Sequence, residues 1–179
     1  MMTAENSSTV DILQNLRAVK TRIDEAAHAA GRDPETVALV AISKTHGVDR
    51  IADAITAGHR LFGENRVQES EAKWPALLEG APEVRLHLVG PLQSNKVKRA
   101  VQLYHGIQTL DRLKLAQALA REFDAQGRQV ECFIQINIGE EPQKAGIRPR
   151  EADGFIAECR DRMDLPIVGL MCIPPADEE

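Results

Sequence analysis

The chain has 179 residues, of which 43% are hydrophobic and 27% charged, and it carries a formal net charge of −5 at pH 7. That length is sufficient for one domain with a real core. The negative net charge argues against a protein that binds nucleic acid or an anionic membrane. Apolar stretches stay well short of the ~20 residues that a membrane span requires, and the polar start of the chain does not resemble a secretory signal.

The cysteine content indicates a reducing compartment. Cys132, Cys159 and Cys172 are odd in number and have neither CxxC nor zinc spacing. Cys132 and Cys172 lie in apolar, strand-like runs, where packed free thiols are expected. The chain is therefore predicted to be cytoplasmic.

The first predicted element is an amphipathic helix over residues 10–30, which follows a polar tail over residues 1–9. Apolar residues recur in it at spacings of three and four, and Gly31 and Pro34 end it. Strands then alternate with helices. The strands are predicted at 37–43, 60–63, 84–90, 105–110, 130–138 and 166–173, and the helices between them at 48–57, 67–78, 95–103, 111–125 and 149–163.

This alternation predicts βαβ units around a parallel sheet, either an open doubly wound sheet or a barrel. Six strands suit an open sheet, because a closed barrel of this type has eight. No linker or repeat interrupts the pattern, so residues 1–179 are predicted to form a single domain.

Lys44 follows the first predicted strand and is the most informative residue of the chain. Residues 37–42 before it are all apolar, which predicts a strand buried on both faces of a sheet. α/β folds place their chemistry at the carboxyl ends of such strands. An uncharged lysine amine at that position can attack a carbonyl compound. The alternative is a lysine that merely extends into solvent, and position alone favours it.

Polar residues near the ends of later strands are further candidates. Asn65 follows the second strand and is predicted to cap the next helix, and it can also contribute to an anion or ligand site at that helix start. His87, on the third strand, is predicted to be hydrogen-bonded in the interior. Gln135 and Asn137 share a face of the fifth strand. Two amides on a buried strand indicate either a polar barrel mouth or an internal hydrogen-bond network. Lys144 is predicted to be a flexible loop lysine.

Familiar catalytic and cofactor motifs are missing from the sequence. It has no Gly-rich phosphate loop, no metal-spaced His/Cys cluster and no nucleophile elbow. The residues alone therefore predict an α/β domain with a candidate amine site at its strand ends, and no metal.

Five segments, taken in chain order, carry a resemblance to a known family. They are Val-Ala-Ile-Ser-Lys-Thr at 40–45, Phe-Gly-Glu-Asn-Arg-Val-Gln-Glu at 62–69, His-Leu-Val-Gly-Pro-Leu-Gln-Ser-Asn-Lys at 87–96, Lys-Ala-Gly-Ile at 144–147 and Val-Gly-Leu-Met at 168–171. Each is short, but their order across residues 10–175 is highly specific. The chain resembles the pyridoxal phosphate (PLP) homeostasis family. The sequence departs from the family at two positions: Leu86 replaces a usual aromatic residue, and Ala100 replaces a usual larger aliphatic residue. Neither position belongs to the expected cofactor site.

The resemblance implies a (β/α)8 barrel like the N-terminal domain of bacterial alanine racemase, with PLP at the barrel mouth. By that match Lys44 holds PLP as a Schiff base, and Asn65, His87 and Met171 line or support the cofactor pocket. Family members are regarded as carriers or regulators of PLP, vitamin B6 and amino-acid pools, without established turnover. The implied function is non-catalytic, with PLP-dependent apoenzymes as candidate recipients of the cofactor.

The resemblance also sets an expectation for the end of the chain. Members of the family continue past the equivalent of Ile173 for two more strands, which carry a Ser-x-Gly-x-Ser-like phosphate loop and an Arg-x-Gly segment. This sequence has neither. We therefore expect about six of the eight barrel strands. We also expect that the chain alone folds poorly or self-associates, in place of the monomer typical of the family, and that it binds PLP weakly if at all.

Two other functions stay open. A PLP enzyme of the racemase type needs acid–base groups on both faces of the substrate carbon. Enzymes of that type take one such group from a second domain, which this sequence lacks, and its only tyrosine, Tyr104, lies in a helix-to-strand connection. A cofactor-free interaction or RNA-associated domain would use the basic cluster at 96–99, which a net charge of −5 disfavours.

Overall fold

A computed structural model describes residues 4–174, with side chains from residue 11 onward. The described chain divides into two compact units. The first unit comprises residues 4–63 and 72–84, and the second comprises residues 64–71 and 85–174.

The first unit begins with a long helix, α1 (Ala4–Ala29). It is followed by strand β1 (Ala41–Ile42), helix α2 (Val48–Thr56), strand β2 (Leu61–Glu64) and helix α3 (Val67–Gly80). The last residue of β2 and residues 67–71 of α3 are counted with the second unit. Strands β1 and β2 pair in parallel, with Ala41 opposite Phe62. The core of this unit contains the fully buried Trp74, whose ring centroid lies 5.1 Å from that of Phe62. This packing fixes α3 against β2 within the unit.

The second unit contains the remaining strands and helices. In chain order they are β3 (Arg85–Leu88), α4 (Val97–Leu103), β4 (Gly106–Leu110), α5 (Leu113–Gln126), β5 (Glu131–Ile136), α6 (Ala152–Ala157) and β6 (Ile167–Cys172). Strands β3 to β6 are parallel, and each pairs with the next. One face of the strands is fully buried, as the zero exposure of Leu86, Ile107 and Ile134 shows. The parallel α/β class predicted from the alternation is therefore confirmed.

The first strand differs from the prediction. Residues 37–43 were expected to form a strand buried on both faces, but β1 contains two residues, and Ile42 is 44% exposed. The physical reason is that β1 pairs with β2 along one edge only, among the described residues. An edge strand lacks the second neighbour that would cover it. Strand β6 has the same character, because its outward-facing Val168 and Leu170 are 53% and 58% exposed.

The start of the first helix also differs from the prediction. Helix α1 begins at Ala4, within the segment predicted to be a polar tail. No proline or glycine lies between residues 4 and 30 to stop the helix from extending in that direction. Residues 1–3 and 175–179 lie outside the described part of the chain.

Within residues 4–174, no helix has the length and apolar character needed to cross a membrane. The same residues contain no group of three or more His, Cys, Asp or Glu side chains placed to hold a metal ion.

Candidate functional site

Lys44 lies on a tight turn that follows β1 directly. The turn is closed by the N–H of His46, which donates to the carbonyl of Ser43 at 3.2 Å. Ser43 is buried, and its N–H and Oγ both donate to the carbonyl of Gly63, at 3.0 and 3.3 Å. The Lys44 side chain is exposed. The predicted position of this lysine, at the carboxyl end of a parallel strand, is confirmed by these contacts.

The backbone of this turn is strained at Thr45. Its φ of 66° lies in the left-handed region, which costs a residue with a Cβ roughly 1–2 kcal/mol and is a pronounced outlier for a β-branched side chain. Lys73, on α3, reaches this turn from the same unit. Its Nζ donates to the carbonyl of Ser43 at 3.1 Å and to the carbonyl of His46 at 3.3 Å.

A cleft of about 250 Å³ borders the Lys44 turn in the first unit. Ser43 and His46, on either side of Lys44 and Thr45, contribute to its wall. The rest of the wall is mostly apolar and comes from α1, β1, α2 and Phe62, and it includes Ile12, Leu16, Val19, Ile42, Ile51 and Ala54. Lys44 itself is not among the residues that line this cleft, so the cleft adjoins the turn that carries the lysine and not its amine.

Asn65 belongs to the second unit, at the junction between β2 and α3. Because α3 begins at Val67, Arg66 rather than Asn65 immediately precedes the helix. The Asn65 backbone is held against the end of β3: a Cβ built on Gly90 would lie 2.2 Å from the Asn65 carbonyl oxygen. Beside it, the N–H of Val89 donates to the carbonyl of Glu64 at 2.8 Å.

A cavity of about 700 Å³ opens beside Asn65. Two cationic side chains, Arg66 and Lys96, contribute to its lining. Two amide side chains, Gln68 and Gln93, contribute as well. Asn65 is among the residues that line this cavity, and its role in holding a ligand stays a prediction.

His87 lies in the interior of the second unit, where only 5% of it is exposed. Its Nδ1 is 3.0 Å from the side-chain nitrogen of Gln108, and its Nε2 is 3.9 Å from a carboxylate oxygen of Glu131. Burial lowers the pKa of His87 below its ordinary value, and the nearby Glu131 opposes this in part. The prediction of an interior, hydrogen-bonded histidine is confirmed, whereas a role in the pocket stays a prediction.

The two amides of β5 anchor the loop that follows the strand. Gln135 Nε2 donates to the carbonyl of Ala145 at 3.2 Å, and Asn137 Nδ2 donates to the carbonyls of Glu141 and Lys144 at 2.8 and 3.2 Å. Gly146 has a φ of 120°, and a Cβ there would lie 2.7 Å from the Asn137 nitrogen. Of the two interpretations of these amides, the internal hydrogen-bond network is the one found.

Lys144 and Met171 lie near this network. The Lys144 amine pairs with Glu141 at 2.5 Å, and the flexibility expected of this loop lysine stays a prediction. Met171, on β6, is half-buried and lies opposite Gln135 in the strand register. A cavity of about 260 Å³ is lined here by Val89, Thr109, Gln135, Asn137 and Lys144, among others.

Of the predicted site residues, Lys44 therefore lies in the first unit, and Asn65, His87 and Met171 lie in the second. The sequence did not single out two residues that shape their surroundings, Lys73 and Gly90. The Gly-Pro pair at 90–91 carried a signal for a sharp exit from β3. Lys73 carried none, because its contact is with a residue 30 positions away.

Comparison with known proteins gives a family match over most of the chain. The family model described as the alanine racemase N-terminal domain matches residues 14–179. A pyridoxal phosphate homeostasis protein of Escherichia coli K12 is 40% identical over 170 residues, which are 94% of this chain and 73% of the relative.

Two solved structures extend this similarity to the fold. An unknown protein from Bifidobacterium adolescentis has a TM-score of 0.90 and 30% identity, covering 100% of this chain and 75% of that one. PipY of Synechococcus elongatus, solved with PLP bound, has a TM-score of 0.73 and 35% identity, covering 87% of this chain and 72% of PipY.

Proposed function

The chain belongs to the pyridoxal phosphate homeostasis proteins, a group built on the alanine racemase N-terminal domain, and we propose that it holds PLP reversibly on Lys44 and serves PLP homeostasis without catalytic turnover. The observation that carries this proposal is the exposed Lys44, anchored by its turn at the carboxyl end of β1. The PLP-bound structure of PipY supports the identity of the cofactor.

The residues present in the first unit fit a cofactor that is held through a covalent bond. When bound, PLP supplies an aldehyde that an uncharged lysine amine can attack. Lys44 offers an accessible amine on a turn whose two ends are hydrogen-bonded in place. The exposed Lys44 side chain leaves the site open to exchange with other amines.

A racemase-type activity receives no support from the only tyrosine. Tyr104 is fully buried, and its hydroxyl is 2.5 Å from the Ser70 hydroxyl. Burial also raises the pKa of the Tyr104 phenol well above its usual range. A phenol in that position is a structural hydrogen-bonding group and is not placed to exchange a proton with a substrate.

We further propose that the cofactor passes from Lys44 to PLP-dependent apoenzymes in the cytoplasm. An exposed, reversible attachment site suits such a transfer better than an enclosed one, because the recipient's own amine must reach the cofactor. Activation of an apoenzyme by the PLP-loaded chain, faster than by an equal concentration of the Lys44→Met variant mixed with PLP, is the expected result.

The proposal is tested by titrating the protein with PLP and following its absorbance spectrum. Wild-type protein is expected to give a saturable spectral change, and the Lys44→Met variant is expected to lose it. Lys144→Met is the matched control, because Lys144 already pairs with Glu141 and is expected to leave the spectral change intact. Loss of the change in the Lys144 variant, with retention in the Lys44 variant, would contradict the proposal.

A further inference from the structure

The carbonyls of Ser43 and His46 are both bonded to the side chain of Lys73. These two carbonyls belong to the first and last residues of the turn that carries Lys44, and the Lys73 Nζ donates to them at 3.1 and 3.3 Å. One ammonium group therefore spans the whole turn. Hydrogen bonds from a charged donor are stronger than those between neutral groups.

The turn requires an external support of this kind. Thr45 adopts a φ of 66°, a conformation that a β-branched residue disfavours. One backbone hydrogen bond across the turn runs from the His46 N–H to the Ser43 carbonyl. A strained conformation persists only where the surrounding structure over-determines it, and the two bonds from Lys73 supply that constraint.

Lys73 is itself held firmly. It is half-buried on α3, and the next residue, Trp74, is fully buried against Phe62. Phe62 is in turn the register partner of Ala41 on β1. The rigid core of the first unit thus fixes the position of the ammonium relative to the strand that precedes Lys44.

From these contacts we infer that Lys73 is a positioning residue for Lys44: its ammonium bridges the two ends of the turn and holds the Lys44 backbone in the orientation that the cofactor aldehyde requires. This inference deepens the proposed function and rests on it for the identity of the bound aldehyde. The geometric part, the support of the turn by Lys73, stands independently of PLP.

The test compares wild-type protein with Lys73→Met, which keeps the aliphatic stem but removes the charged donor, and with Lys73→Arg, which keeps a charged donor. Lys20→Met removes an exposed lysine from α1 of the same unit and is the matched control. Three quantities are measured on the full chain: amide hydrogen exchange at His46 without PLP, the thermal unfolding midpoint, and the apparent Kd for PLP.

In Lys73→Met we expect the exchange protection of the His46 amide to fall by about tenfold or more, as for the loss of a charged hydrogen bond. The apparent Kd for PLP should rise by a similar factor, while the amide of Phe62 keeps its protection. Lys73→Arg should restore both quantities substantially, and Lys20→Met should leave both unchanged. A protein in which Lys73 served only general stability would instead lose protection at His46 and Phe62 together.

An unchanged Kd in a folded Lys73→Met variant overturns the inference, and so does unchanged protection at His46. If Lys73→Met does not fold, Lys73→Gln replaces it, because glutamine removes the charge and its shorter side chain leaves only a neutral donor, so both quantities should change in the same direction by a smaller factor. Failure of wild-type protein to bind PLP at Lys44 would refute the proposed function instead, and the exchange at His46 would still decide whether Lys73 supports the turn.

Discussion

The environment of a single residue can be predicted from sequence when it depends on neighbouring positions, and it cannot when the contacts come from residues far along the chain. The apolar run at 37–42 is local, so Lys44 could be placed at a strand end from sequence. His87 could be assigned to the interior from the alternation of β3, and its contact with Gln108 confirms that assignment. Lys73 could not be assigned to the Lys44 turn, because no local pattern encodes a contact across 30 positions.

Gly90 allows a direct test of how tightly Asn65 is held. A Cβ at this position would meet the Asn65 carbonyl oxygen at 2.2 Å, and backbone there cannot move aside as a flexible side chain could. Gly90→Ala is expected to lower the free energy of unfolding by about 1–3 kcal/mol, the usual cost of overpacking. Denaturant unfolding measures this.

Gly80→Ala is the control for that substitution, since a Cβ at Gly80 meets nothing within 4 Å. Its free energy of unfolding should equal that of the wild type or exceed it slightly, because alanine has the higher helix propensity. Equal effects of the two substitutions would show that Asn65 is not held by the close approach of Gly90.

Secondary-structure elements were predicted well where the pattern depends on near neighbours. Strands β3 to β6 and helices α2 and α5 lie within a few residues of their predicted positions. The first strand was predicted poorly because its length and burial depend on which strands lie beside it. An apolar run in the sequence indicates only that its residues favour burial. How exposed Ile42 is depends on which other elements pack beside it in the folded chain.

The end of α5 provides a prediction at the level of one helix. Gly127 follows the helix with a φ of 60°, and its N–H bonds to the carbonyl of Phe123. Gly127→Ala places a Cβ in the left-handed region and is expected to destabilise the fold by roughly 1–2 kcal/mol.

Gly154, inside α6, is the matched position for comparison. A Cβ there meets nothing within 4 Å, and its backbone is helical. Gly154→Ala should therefore stabilise the protein by about 0.5–1 kcal/mol. Thermal unfolding of both variants should give midpoint shifts of opposite sign, and shifts of the same sign would contradict this account of the two helices.

At the scale of the whole molecule, the family and the fold class were accessible from sequence because five short segments preserve their order. The family match over residues 14–179 confirms the recognition. The division of the described chain into two compact units was not foreseen, and the assignment of a single domain stays a prediction. Sequence motifs report local chemistry, whereas the density of contacts between distant segments is a property of the folded chain.

The stability of the whole protein should depend on pH through its buried histidines, because burial lowers the pKa of His87 and also those of His59 and His105. Burial holds the pKa of His87 below 6.5 in the folded state. Its contribution to stability is therefore complete above about pH 6.5, and it is lost as the pH falls from there through the folded pKa. The expected slope is at most about 1.4 kcal/mol per pH unit for this one group.

Denaturant unfolding between pH 7.5 and 5.5 measures the effect. His87→Gln should be less stable than wild type at pH 7.5 but should lose less stability on acidification. His28→Gln, at an exposed position of α1, is the control and should follow the wild-type curve. An unchanged slope in His87→Gln would show that other groups dominate the pH dependence.

The central claim is that Lys44 is the residue that carries the cofactor. Borohydride reduction of the purified chain with PLP, followed by peptide mass mapping, tests it most directly. At a PLP concentration high enough to saturate a weak site, a stoichiometric pyridoxyl adduct confined to Lys44 is expected. An adduct on Lys144, or scattered substoichiometric labelling of several lysines, would contradict it.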